Sequence, residues 1–252
     1  MATLDEIRER ISACAAGNRR TLKAMTFIQK FGSASRPVIA TCDDGAIYVI
    51  KGAHNGRTLV TEHVVGRLGE LMGAPVGEVA FAEITDELRQ VEPQLADVSA
   101  GLGHATRWVP DCTDKLGVDH MDKSYNRQRF ALLQVLYSWA LAGDHQLIYS
   151  KSDPFLVLSV DHGHFLNGST GWSAASLRGC GPPALDPYFA MCGLPASALV
   201  IARAALAAIT DSEIRLVAGG PPDAWGTTPD DRAAIAEYFI RRRDQLVAIL
   251  PQ

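Results

Sequence analysis

The chain has 252 residues, 47% hydrophobic and 21% charged, an ordinary globular composition that excludes an intrinsically disordered chain. Its 24 Lys and Arg against 28 Asp and Glu give a net charge of −4. That lacks the basic excess a sequence-blind phosphate-backbone binder needs, so no direct nucleic-acid partner is expected. The five cysteines include no CxxC pair and read as reduced thiols. The longest apolar stretch, Leu194 to Ile209, contains Pro195 and Arg203 and is too short for a membrane span. With no apolar leader at the amphipathic start, a cytoplasmic protein without a membrane partner is expected.

Residues 4–16 place Leu4, Ile7, Ile11 and Cys14 at helical spacing before Gly17. Three strands are predicted next, over 25–31, 37–42 and 46–51. The second and third are joined by Asp43-Asp44-Gly45, residue types that tolerate the positive φ of a tight hairpin turn. Leu59 to Met72 carries an apolar helical stripe closed by Gly73 and Pro75. A strand follows over 76–84, then a polar, mixed stretch over 85–122 with a short strand at 107–109. Tyr125 to Ala142 reads as a helix buried on nearly every side, stopping at Gly143, and Phe155 to Val160 as a buried strand. The remainder is helical, with a capping box at Thr210–Glu213 and Pro229 at the first helical position after Thr228.

Composition shifts near residue 120. The division predicted is an N-terminal helix over 1–20, a strand-rich lobe with one helix over 21–115 and a helical lobe over 116–252. Two such lobes would share a ligand cleft.

Four residues occur in an informative order: Lys51 ending a strand, Glu62 in the next helix, Asp144 after the buried helix and Asp161 after the following strand. A charge where a buried strand ends needs a partner, because desolvating it alone costs several kcal/mol. The order fits phosphoryl transfer. A lysine holds phosphates and a helix carboxylate fixes the lysine. A loop aspartate accepts the acceptor's proton, and a strand-terminal aspartate holds Mg²⁺.

The segments Ser35-Arg36-Pro37, Asp43-Asp44-Gly45, Tyr48 to Gly52, Asn55, Leu59-Val60 and Glu62 resemble the HipA-like kinase family, as do Gly143-Asp144 and Val160-Asp161-His162-Gly163-His164-Phe165. The resemblance spans roughly residues 25–170. It implies an α+β, bilobal, protein-kinase-like fold: a small antiparallel-sheet N-lobe with one helix and a mostly helical C-lobe. It also implies ATP and Mg²⁺ as cofactors and an acceptor hydroxyl on a protein Ser/Thr or a small molecule. Lys51, Glu62 and Asp144 would be catalytic and Asp161 a metal ligand. Gly32, Ser33 and Ser35 would lie over the phosphates, and Arg107, Trp108 and Val109 near the adenine at the hinge.

The chain departs from the family pattern in one loop. Gly143 stands where an Asn is usual and His145 where a basic residue is usual. No Asn lies between Asp144 and Asp161 to serve as the second metal ligand, which leaves Gln146, Ser152 and Asp153 as candidates through their oxygens. Two other readings follow. A catalytically impaired pseudokinase would serve as a nucleotide- or protein-binding module. A metal-dependent hydrolase or oxygenase would use Asp144-His145 and Asp161-His162-Gly163-His164 as ligands.

Overall fold

Local capping and turn chemistry account for much of the first third of the chain. Thr3 Oγ1 accepts from Glu6 N and Glu6 Oε2 accepts from Thr3 N, a capping box that opens helix α1 (Leu4–Ala15). The computed structural model describes residues 3–17, 20–115, 117–168 and 170–252. Strands β1 (Thr21–Lys30), β2 (Val38–Cys42) and β3 (Ile47–Lys51) form an antiparallel meander. At the β2–β3 turn Asp44 Oδ1 accepts from Ala46 N at 3.0 Å. Helix α2 (Arg57–Met72) ends on Gly73 in the left-handed conformation. Strand β4 (Val79–Ile84), helix α3 (Asp86–Val91) and strand β5 (Gly101–Arg107) complete this part.

The small antiparallel sheet expected here is a closed five-stranded barrel in the order β1-β2-β3-β5-β4, in which β4 returns to pair parallel with β1 over Thr21–Lys23. The register of β1 against β2 shifts between Ala24 and Thr26 and again between Phe27 and Gln29. Such irregularities bend a strand and raise its twist, so its start and its remainder can face different neighbours. Leu22, Val38, Tyr48, Ile50, Ile84 and Ala105 fill the barrel. Strand β5 runs over 101–107 rather than 107–109. Its Gly-Leu-Gly-His-Ala-Thr sequence has little strand propensity, and ladders to β3 and β4 on its two sides decide its conformation.

The second part holds β6 (Cys112–Lys115), α4 (Ser124–Ala140), β7 (Gln146–Ser150), β8 (Val157–Val160), α5 (Ala174–Gly179), α6 (Ala196–Ala207), α7 (Asp211–Gly219) and α8 (Pro229–Ile249). Besides its helices it holds an antiparallel sheet, β6-β7-β8, with α4 packed against β8, and the sequence shows only β8 of that sheet.

Helix α2 is buried along nearly its whole length, not along one stripe. Ile11 of α1, Phe81 of β4, Leu136 of α4 and Val217 of α7 join its apolar residues in one core. Its first residue, Arg57, donates to both oxygens of Asp231 on α8 (2.9 and 3.0 Å) and lies 4.0 Å over the Trp172 ring. The Arg57 guanidinium holds the Asp231 carboxyl well below the usual carboxylate range. Among the described residues, no helix is long and apolar enough to cross a membrane.

Candidate active site

Alternation along β3 sends Tyr48 and Ile50 into the barrel and therefore turns Lys51 outward, toward α2. One residue past β8 the backbone reverses at Asp161, which takes φ +58. These placements bring three of the four ordered residues together. Lys51 Nζ donates to Glu62 Oε1 and, at 2.6 Å, to Asp161 Oδ1. The second oxygen of Glu62 accepts from His162 N at 3.0 Å. Lys51 and Glu62 are buried, whereas the Asp161 side chain keeps 34% of its exposure.

Two carboxylates here share one ammonium. Burial by itself disfavours charge on Lys51, but Glu62 and Asp161 outweigh it and raise the lysine pKa. Burial and the charge of Glu62 raise the Asp161 carboxyl, with Lys51 opposing only in part. The cluster thus has an excess of negative charge at its exposed edge. Gly163 completes it by having no side chain: a Cβ there would lie 2.6 Å from Thr58 Cγ2 and 3.1 Å from Glu62 Oε1.

Asp144 stands on the loop after α4. Gly143 N donates to His164 O at 2.9 Å, joining this loop to the segment after Asp161. Gln146 pairs with Val160 across the β7–β8 hairpin, so Asp144 and Asp161 flank the same end of it. Asp144 accepts from His145 N (2.8 Å) and from Gln146 Nε2 (3.0 Å). With Gly117, Gly143, His145 and Tyr188 it lines a solvent-open cavity of about 380 Å³.

The remaining candidates are less central. Gln146 directs its amide nitrogen to Asp144, which makes it a donor to the loop acid. Asp153 does not join the cluster. It lies at the far end of the hairpin, a five-residue strand away or roughly 17 Å, is 74% exposed, and faces Lys123 at 3.6 Å. Gly32 and Ser33 are exposed on the β1–β2 loop. Ser35 O anchors that loop by accepting from His54 Nε2 (3.2 Å) and Asn55 Nδ2 (3.0 Å). Arg107 falls on the face of β5 opposite to His104, which pairs with Lys51, and its guanidinium goes to Glu78 (3.2 Å). Trp108 is 39% exposed and Val109 half-buried, on the connection from the barrel to β6.

Several buried polar residues of this region carry only faint sequence signals. His145 Nε2 donates to both oxygens of Asp186 (3.1 and 3.0 Å), 41 positions away. Ser159 Oγ lies 2.8 Å from His162 Nε2 and 2.5 Å from the Tyr137 hydroxyl. A serine inside the apolar run FLVLSV and a tyrosine inside a buried helix were the available hints, since buried hydroxyls need partners. Burial pushes the His162 imidazole down to about 4 and holds His104 well below its ordinary value, with Lys51 adding to the effect in both. His145 and His162 go to separate partners, and among the described residues no group of three His, Cys, Asp or Glu side chains could hold a metal.

A lysine from the barrel paired with a helix acid and a strand-terminal acid is the arrangement of a kinase-type fold. Residues 27–164, more than half of the chain, match the HipA-like kinase family, and the chain belongs to it. Two solved structures share the fold. One is the Helicobacter pylori proinflammatory kinase CtkA, with TM-score 0.61, 9% identity, and coverage of 92% of this chain and 97% of that one. The other is the Golgi casein kinase crystallised with Mn/ADP bound, with TM-score 0.55, 10% identity, and coverage of 98% and 76%. No curated protein matches the sequence.

Proposed function

We propose that the protein is an ATP- and Mg²⁺-dependent phosphotransferase acting on a hydroxyl, and the observation that carries this is the meeting of Lys51, Glu62 and Asp161. The residues present suit both groups. The excess negative charge at Asp161, on a carboxylate still a third exposed, suits a hard divalent cation, which keeps most of its remaining ligands from water and phosphate oxygens. Mg²⁺ bound there would neutralise charge on the phosphates. Lys51, held in place by Glu62, faces the same edge and suits the nucleotide phosphates. The anchored Gly32–Ser35 loop suits a phosphate cover, with backbone N–H groups and the Ser33 and Ser35 hydroxyls. Trp108 and Val109, on the connection between the barrel and β6, suit the adenine.

Asp144 is the general base. The acceptor's O–H proton passes to its carboxylate while the acceptor oxygen bonds to the γ-phosphorus and the bond to the leaving oxygen breaks. Donation from His145 N and Gln146 Nε2 keeps the Asp144 carboxylate oriented, and the cavity beside it receives the acceptor. Bilobal division at about residue 115 belongs to the same reading.

One observation favours a binding module without turnover. Asp153 sits at the wrong end of the hairpin, which leaves the Gln146 side-chain oxygen, on a residue whose amide nitrogen bonds Asp144, as the second cation ligand beside that loop. Titration calorimetry with Mg-ATP and a γ-phosphate transfer assay separate the two readings. The kinase reading expects micromolar-to-millimolar binding in the wild type, loss of both binding and transfer in Asp161→Ala, and transfer to an acceptor or to the protein itself. Unchanged Mg-ATP affinity in Asp161→Ala removes the metal role of Asp161. Binding without transfer establishes the module.

A further inference from the structure

Behind the Lys51 cluster runs a second polar chain with no charged member. The Tyr137 hydroxyl from α4 meets Ser159 Oγ at 2.5 Å, and Ser159 Oγ meets His162 Nε2 at 2.8 Å. All three residues are buried. His162 then acts in the other direction through its backbone, donating its N–H to Glu62 Oε2. Tyr137 also touches the neighbouring loop, with ring centroids 5.1 Å from His145 and 4.6 Å from Phe165. One residue of α4 therefore contacts both the Asp144 loop and the Asp161 segment.

Asp161 itself needs such support. A non-glycine residue at φ +58 occupies a sparsely populated conformation, which persists only where the surroundings over-determine it. Lys51 holds its side chain. The next residue is held by its ring on Ser159 and its N–H on Glu62. Hydroxyls left in a dry core bond strongly and are costly to unpair.

We propose that Tyr137 and Ser159 are positioning residues: their linked hydroxyls hold the His162 ring, and through it keep the His162 N–H on Glu62 and the Asp161 carboxylate on Lys51. Its effect on turnover rests on the phosphotransfer reading; its effect on the backbone does not.

The test compares Tyr137→Phe and Ser159→Ala, each lacking one oxygen, with Tyr238→Phe, which loses an equally buried hydroxyl bonded to Ala140 O at 2.9 Å. Amide hydrogen exchange at His162 is read in the nucleotide-free protein. Loss of one buried hydrogen bond predicts about tenfold faster exchange at His162 in the first two variants and less than a twofold change in Tyr238→Phe. In the transfer assay, kcat falls about tenfold and the Mg²⁺ concentration for half-maximal rate rises severalfold, while Tyr238→Phe stays near wild type. Unchanged exchange in both variants overturns the relay. Faster exchange with unchanged kcat and Mg²⁺ dependence overturns the positioning role. A wild type without any transfer refutes the kinase reading, and the exchange measurement then decides the relay alone.

Discussion

Lys51, bonded to Asp161 at one end of the β7–β8 hairpin, and Asp144 at the same end stand in different surroundings. Lys51 is buried and its ammonium is shared by two carboxylates. Asp144 is half-buried on the wall of an open cavity and held by donors from its own loop. Around Lys51, stability and chemistry depend on the same contacts. Around Asp144 they come apart, because its loop can lose a charge without stranding a partner.

The largest expected effect follows from that contrast. Lys51→Ala leaves Glu62 buried without its counter-charge, so urea unfolding should show a loss of about 3–5 kcal/mol together with the loss of nearly all transfer. A variant as stable as wild type would show that Glu62 finds another partner. Asp144→Asn should instead reduce transfer by about 10²–10⁴-fold while Mg-ATP affinity and unfolding midpoint stay near wild type. A comparable loss of stability would erase the distinction between the two regions.

A smaller effect tests how dry the Lys51 side is. His162 titrates near 4 in the fold, against an ordinary 6.5. The unfolded chain therefore binds more protons between those values, and stability is lost as pH falls from 6.5 toward 4, by about 3 kcal/mol in all. His104, also lowered by burial, steepens the same fall. Asp161 is raised by burial and Glu62, so it holds its proton more readily when folded and opposes part of the fall at the acid end. Denaturant midpoints at pH 7, 6 and 5 measure this; a flat profile would mean that solvent reaches the imidazoles. Smallest is Asp153→Ala, which removes an exposed pairing and should change stability by about 0.5 kcal/mol or less and leave the Mg²⁺ dependence of transfer unchanged. A shifted Mg²⁺ dependence would bring the hairpin tip back into the site.

Residue by residue, the sequence was most readable where its signals were local. Asp43 to Gly45, Gly73, Thr210 with Glu213 and Pro229 after Thr228 mark ends and turns within a few positions. Lys51, Glu62, Asp144 and Asp161 stood out by order alone. What was misread depends on neighbours far along the chain. Strand β5 is a strand because β3 and β4 pair with it. The bond between His145 and Asp186 had no local pattern to announce it.

Helix ends, chain turns and the order of the charged residues were settled by the amino-acid sequence, because a cap or a turn is decided within a few residues. Closure of the barrel, burial of α2 on all sides and the gathering of Lys51, Glu62 and Asp161 were decided only by tertiary packing. Those outcomes join residues as many as 174 positions apart, and a charge becomes a partner or a liability only once folding has removed the water around it.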